Sequence, residues 1–153
     1  MANTYTQLNV HAVFSVKGRE NLLNARIRED VFKYIAGILQ NTGQFPLAVN
    51  GYKDHVHIMF ELNPVQSIAE ILTIVKSNSS KWINDQHFLR GKFYWQTGYG
   101  AFSYSRSQRN EVIRYIMGQE AHHRITTFRD EYLKLLEQFQ MEYRERYLFE
   151  FYD

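Results

Sequence analysis

Phe45-Pro-Leu-Ala-Val-Asn-Gly-Tyr-Lys-Asp-His-Val-His-Ile-Met-Phe-Glu-Leu62 lies near the middle of a chain of 153 residues and reads as two strands joined by a tight turn. Phe45 to Tyr52 forms the first strand and His55 to Leu62 the second, with Lys53 and Asp54 suited to the turn between them. Side chains alternate along a strand, so Val56, Ile58 and Phe60 share one face and His55 and His57 share the other. If the apolar set faces the core, the histidine pair is expected on a face that no helix covers.

The same periodicities extend in both directions. Upstream, Thr4 to Val16 alternates around Leu8, Val10, Ala12 and Phe14, as a half-buried strand does. Ile27, Val31, Tyr34, Ile35, Ile38 and Leu39 then recur at helical spacing, and Gly43 closes that helix. Downstream of Pro64, Ser67 can cap a helix carrying Ile68, Ile71, Leu72 and Val75 and extending to Ile83. Phe93 to Tyr104 is aromatic-rich with two glycines and reads as a fourth, interrupted strand. Ser107 is positioned to cap a helix whose buried stripe is Val112, Ile113, Ile116 and Met117. A last helix covers Phe128 to Phe139. The order is strand, helix, strand, strand, helix, strand, helix, helix, and its first six elements match the split βαβ, ferredoxin-like (RRM-like) arrangement. The expectation is a single α+β domain over residues 1–153: an antiparallel sheet with helices on one face, plus C-terminal helices.

Composition narrows the function classes. Hydrophobic residues make up 44% and charged residues 22%, a globular balance that argues against disorder. The absence of cysteine excludes a disulfide framework, a thiolate metal site and a cysteine nucleophile. No apolar run approaches the roughly 18 residues of a membrane helix, and no secretory signal opens the chain, so a cytoplasmic, nucleoid-associated protein with no membrane partner is expected. Net charge is only +2, but it is unevenly spread. Residues 76–124 carry eight basic side chains against three acidic, whereas residues 125–153 carry four against seven. A clustered positive excess is the footprint of a polyanion binder, although charge alone is equally met by a solvated surface.

Three constellations could carry chemistry. His55 and His57 lie about 6.6 Å apart along one strand face, close enough to share a metal or simply to face solvent. Tyr115 and Gln119 are four residues apart, on one helical face, and offer a hydroxyl nucleophile and an amide oxygen for a hard cation; each is equally a packing or solvent residue. His122 and His123 just beyond read as a surface pair near a helix end. Lys76, Lys81 and Trp82, followed by Phe93, Tyr94, Trp95 and Tyr99, mix basic and aromatic groups as single-strand binders do. Asp54 beside the strand can orient one of the histidines.

Taken together these segments resemble the single-tyrosine HUH transposases of the insertion-sequence 200/605 group, the IS200-like transposase family. Asp54-His-Val-His-Ile-Met-Phe60 resembles the histidine–hydrophobe–histidine motif, and Tyr115-Ile-Met-Gly-Gln-Glu-Ala-His-His-Arg124 the tyrosine motif. Trp95-Gln-Thr-Gly-Tyr-Gly-Ala-Phe-Ser103 and Glu142-Tyr-Arg-Glu-Arg-Tyr-Leu148 resemble the family's pre-helix stretch and its ending. Arg106 stands where a proline is expected in relatives. The resemblance implies cleavage and rejoining of single-stranded DNA at hairpin-marked ends through a 5′-phosphotyrosine link. It implies Tyr115 as nucleophile, and His55, His57 and Gln119 as ligands of Mg²⁺ or Mn²⁺. Lys76, Lys81, Trp82 and Arg106 are its candidate DNA contacts. It further implies a homodimer in which each tyrosine helix reaches the partner's histidine pair. The alternatives are a domesticated relative acting on chromosomal palindromic repeats, and a non-catalytic RRM-like nucleic-acid-binding module; the latter leaves His55, His57, Tyr115 and Gln119 unexplained as a set.

Overall fold

The computed structural model describes residues 3–152. Four strands, β1 (Asn9–Ser15), β2 (Phe45–Gly51), β3 (His55–Glu61) and β4 (Gly100–Tyr104), form one sheet in the order β2-β3-β1-β4. Every neighbouring pair is antiparallel. Five α-helices accompany them: α1 (Arg28–Asn41), α2 (Ile68–Gln86), α3 (Arg109–Met117), α4 (Gln119–His122) and α5 (Phe128–Gln138). This is the expected α+β, ferredoxin-like order with added C-terminal helices.

One face of the sheet carries Val10, Ala12 and Phe14 of β1 and Val56, Ile58 and Phe60 of β3, all buried. They pack in one cluster with Val31, Ile35 and Leu39 of α1 and Ile71, Leu72 and Val75 of α2. The α2 start is fixed by a capping box in which Ser67 Oγ accepts from Glu70 N–H and the Glu70 carboxylate accepts from Ser67 N–H, a device that stabilises a helix end by about 1 kcal/mol.

The other face is not open. Val112 and Ile116 of α3 lie on Ala48 and Met59, and Phe128, Tyr132 and Leu135 of α5 cover the β1–β4 side of that face. Helices therefore flank both faces, all seven residues of β1 are buried, and His55 and His57 are fully buried rather than exposed. The physical reason is the apolar stripe of the C-terminal helices: burying side chains such as Ile116 and Phe128 is favourable by about 1.5–3 kcal/mol each, and the sheet offers the apolar surface that meets them. β1 is accordingly shorter than the alternation suggests and has no solvated side. Close approach is permitted by two glycines. A Cβ on Gly100 would sit 2.6 Å from Tyr132 Oη, and a Cβ on Gly51 would run into the His55 carbonyl at the hairpin that presents the histidine pair.

Two further details differ from expectation. The aromatic segment joins the sheet properly only from Gly100; before that it runs beside the end of β1, with an isolated bridge from Val16 to Trp95 and Gln96 N–H donating to the Ser15 carbonyl. Phe93 and Trp95 are core residues, while Tyr94 and Tyr99 are exposed. The turn before α3 is capped by Ser105, whose hydroxyl and amide pair with Gln108, and not by Ser107.

Candidate active site

β3 presents His55 and His57 to the face covered by α3, α4 and α5, and the covering helices bring their own polar side chains to meet them. Gln119 Oε1 lies 2.9 Å from His55 Nε2. Glu131, on α5, is the hub. Its Oε1 lies 3.0 Å from His57 Nε2, 3.2 Å from His55 Nε2 and 3.0 Å from His123 Nε2. Its Oε2 accepts from Gln119 Nε2 at 2.9 Å and from the Tyr115 hydroxyl. Thus the structure brings His55, His57, Tyr115 and Gln119 together. Tyr115 and Gln119 do not sit on one unbroken helix: α3 ends at Met117, Gly118 adopts φ −93° and ψ 17°, and Gln119 opens α4. Both still converge on Glu131.

The orientation of each imidazole has a visible cause. His55 Nδ1 donates to Asp54 Oδ1 at 2.7 Å, so its Nε2 is aimed at the cluster. His57 Nδ1 lies 2.7 Å from His11 Nε2, so its Nε2 is likewise aimed at Glu131. His123 Nδ1 pairs with the Thr126 carbonyl at 2.9 Å. The surface reading of the pair 122–123 is thereby corrected: the His123 side chain is 2% exposed and belongs to the cluster, while His122 is partly exposed, 3.4 Å from Glu131. His123 follows α4 directly, one helical turn beyond Gln119, and its N–H donates to the Gln119 carbonyl at 2.9 Å.

Electrostatics follow from burial against pairing. Burial alone would raise the Glu131 carboxyl, but the charge of His57 and hydrogen bonds from His123, His55 and His57 drive it well below the usual carboxylate range. Burial pulls His55 down, yet its hydrogen bonds to Asp54 and Glu131 outweigh it and lift the imidazole to about 9. Burial keeps His57 below its ordinary value. The Tyr115 phenol is pushed far up, first by burial and then by the Glu131 charge, so the resting hydroxyl is protonated.

Two imidazole nitrogens, a carboxylate oxygen and an amide oxygen converging from different elements are the donor set of a hard or borderline divalent cation. The ligating atoms of His55, His57 and Glu131 lie within 4.8 Å of one another. Cis ligands of an octahedral ion at about 2.1 Å are about 3.0 Å apart, the same separation that the hydrogen bonds here span, so the cluster could exchange protons for a cation with little rearrangement. Glu131 was not legible as a ligand from the resemblance, but it had a signal: it occupies the buried stripe of α5 with Phe128, Tyr132 and Leu135.

The DNA-contact candidates fall elsewhere. Lys76, Lys81 and Trp82 are on α2, the layer on the opposite side of the sheet from the cluster. Lys76 Nζ donates to the carbonyls of Gln96 and Gly98 at 2.7 Å each, tethering the segment before β4, and burial lowers its pKa to about 8. Lys81 is exposed and pairs with Asp85. Trp82 stacks on Tyr34 with ring centroids 4.3 Å apart. Arg106 is exposed in the turn leading into α3, the candidate on the tyrosine helix side.

Comparison with known proteins agrees with the geometry. ISDra2 transposase TnpA of Deinococcus radiodurans is 23% identical over 118 residues, which is 74% of this chain and 84% of that protein. The crystal structure of a transposase from Deinococcus radiodurans R1 superposes with a TM-score of 0.62 at 19% identity, over 78% of this chain and 95% of that one. A REP-associated tyrosine transposase, solved bound to a REP hairpin, superposes with a TM-score of 0.59 at 11% identity, over 80% of this chain and 73% of that one. These two structures share its fold. A family model described as IS200-like transposase matches residues 4–119, a span that includes His55, His57, Tyr115 and Gln119 and stops short of His123 and Glu131. The chain belongs to the IS200-like transposase family.

Proposed function

We propose that this chain cleaves and rejoins single-stranded DNA at hairpin-marked ends by covalent catalysis through Tyr115. The observation that carries this reading is that one buried carboxylate, Glu131, joins the hydroxyl of Tyr115 to the imidazoles of His55 and His57. His55, His57 and Gln119, with Glu131 added by the fold, would hold Mg²⁺ or Mn²⁺. When bound, such a cation polarises the scissile phosphate and steadies charge on the departing oxygen. Tyr115 Oη forms a bond to phosphorus, the bond from phosphorus to the 3′ oxygen breaks, and the 5′ phosphate stays on the tyrosine. The phenol hydrogen already points at Glu131 Oε2, its first acceptor, and the one proton released there is the one taken up by the departing 3′ oxygen, which leaves as a hydroxyl. Because the phosphodiester bond is conserved in the link, the reverse attack by a 3′ hydroxyl rejoins strands without a nucleotide cofactor. The hairpin preference is supported by family membership and by the REP hairpin bound to a transposase of the same fold. A homodimer is retained from the family resemblance, but in this chain Tyr115 and Gln119 meet the chain's own Glu131 and His55.

The test is a denaturant-resistant protein–DNA adduct formed on hairpin-bearing single-stranded oligonucleotides with Mg²⁺. Wild type should form it, EDTA should prevent it, and Tyr115→Phe should abolish it while retaining DNA binding. Adduct formation by Tyr115→Phe removes Tyr115 from the nucleophile's role, and equal cutting of the paired duplex removes the single-strand preference.

A further inference from the structure

His11 is a polar side chain at the centre of the sheet that the proposed reaction does not use. It is fully buried on β1, on the same face as His57 and diagonally across from it, since His11 pairs with Met59 and His57 with Val13. Its Nε2 lies 2.7 Å from His57 Nδ1, and the two rings stack with centroids 5.0 Å apart and planes 21° from parallel. Its own Nδ1 is buried and, among the described residues, has no partner. Phe102 and Tyr104 flank the ring at 5.8 and 6.0 Å. A buried imidazole in so apolar a setting, with one nitrogen unpaired, is a costly choice for simple packing.

The two candidate ligands differ in what stands behind them. His55 is backed by the carboxylate of Asp54, which only accepts, so its Nδ1 carries hydrogen at all times. His57 is backed by another imidazole, which can donate or accept at the same atom. Without a cation, His57 Nε2 must donate to Glu131 Oε1 at 3.0 Å, so Nδ1 is free to accept from His11 Nε2–H. When Nε2 gives its lone pair to a cation, the hydrogen of neutral His57 must sit on Nδ1 and needs an acceptor there. His11 Nε2 is that acceptor, once its own hydrogen has moved to Nδ1. Burial first, and then His57, hold His11 well below the ordinary imidazole value, consistent with a ring that is neutral in both arrangements.

We propose that His11 is the positioning residue for His57: it fixes the ring through Nδ1 and reverses the direction of the shared hydrogen bond when His57 Nε2 becomes a ligand. This rests on the reading that His55 and His57 hold a divalent cation. Partners of this kind, behind a ligating histidine, typically govern metal affinity by about 10- to 100-fold.

The experiment uses the full chain as wild type, His11→Phe (shape kept, acceptor removed) and His11→Gln (amide oxygen and N–H within reach of Nδ1), with folding checked by circular dichroism. Mn²⁺ alone is titrated and its binding followed by electron paramagnetic resonance, so no DNA and no turnover enter. His11→Phe should bind Mn²⁺ about 10- to 100-fold more weakly, and His11→Gln should recover most of the loss. Nitrogen-15 spectra of histidine-labelled wild type should show the His57 hydrogen on Nε2 in the metal-free protein and on Nδ1 in saturating Mg²⁺. A folded His11→Phe protein that binds Mn²⁺ as tightly as wild type overturns the proposal. So does a wild type whose His57 keeps its hydrogen on Nε2 in Mg²⁺, a measurement that needs no variant and stands even if His11→Phe does not fold. A wild type with no affinity for Mn²⁺ overturns the metal reading beneath it and is recognised because the loss precedes any substitution.

Discussion

The hydroxyl of Tyr115 on α3 donates to the carboxylate of Glu131 on α5, sixteen residues further along the chain. The other oxygen of that carboxylate meets His57 and His123. Tyr115 and the histidine pair are therefore coupled through one residue that lies outside the span matched by the family model.

Removing that carboxylate should cost the fold before it costs the chemistry. Glu131→Ala leaves buried His55, His57 and His123 facing each other without the negative charge that pairs them. Breaking a buried charged pair on one side costs about 3–5 kcal/mol, and Glu131→Ala is expected in that range by urea unfolding of the metal-free protein. Glu131→Gln keeps an acceptor for Tyr115 and should cost less. A change below about 0.5 kcal/mol in the alanine variant, the scale of an ordinary surface substitution, would mean the carboxylate does not organise the cluster.

The raised pKa of His55 gives a signed pH dependence. Its folded value is about 9 against an unfolded value of 6.5, so its contribution to the stability of the metal-free protein is fully present below 6.5 and is lost as pH rises through 9. His11 and His57 are depressed by burial and act only below 6.5, and Lys76, lowered to about 8, acts only from there upward, so the window from 6.5 to about 8 belongs to His55. Cation binding must displace the same proton from Nε2. Mn²⁺ affinity should therefore rise about tenfold per pH unit as pH approaches 9, with roughly one proton released per ion, measurable by calorimetry in buffers of different ionisation enthalpy. Binding that is flat from pH 6.5 to 9 would separate His55 from the ion. An unperturbed imidazole would place the fall in activity below about 6.5; pairing with Asp54 and Glu131 moves it upward.

Much of this arrangement is legible in the sequence, for reasons that also mark where legibility stops. The hairpin from Phe45 to Leu62 and the spacing of Tyr115 and Gln119 are local patterns, so alternation and helical period suffice to find them. What covers the polar face of a strand is not local. His55 and His57 read as solvated because the apolar stripes of α3 and α5 carry no indication of which sheet face they cover. His11 can be recognised as a neighbour of His57 only once the β1–β3 register is known, and a single strand does not encode its register. Glu131 is noticeable as an acid on an apolar stripe, since carboxylates are rarely buried unless paired.

The basic candidates should separate by layer. Arg106 is exposed at the start of the tyrosine helix, and Arg106→Ala should weaken single-strand binding and lower the slope of log affinity against log salt by about 0.7. Lys76 is tied to the carbonyls of Gln96 and Gly98, so Lys76→Ala should instead destabilise the fold by about 1–3 kcal/mol and leave the salt slope unchanged. Fluorescence anisotropy across a salt series, with thermal unfolding alongside, decides the matter. A reduced slope for Lys76→Ala with unchanged stability would restore it as a phosphate contact.

The same contacts favour a site completed within one chain. The family resemblance implies a tyrosine helix set against the partner's histidines, whereas here Gln119 Oε1 is 2.9 Å from His55 Nε2 of the same chain and Tyr115 reaches the same chain's Glu131. α4 begins directly after Gly118, and Asn50 Nδ2 donates to the carbonyls of Ile116 and Met117 at 3.0 and 3.1 Å, pinning the end of α3 to the chain's own edge strand. A site closed in this way needs no exchange between subunits. Mixing a variant carrying His55→Ala and His57→Ala with a Tyr115→Phe variant therefore leaves every site short of one part, and no oligonucleotide should be cut. Subunit exchange is verified separately by mass difference of labelled chains. Cleavage returning in the mixture to a substantial fraction of wild type would place the tyrosine helix in the partner, because only a site assembled from the intact half of each chain could then carry both Tyr115 and the histidine pair.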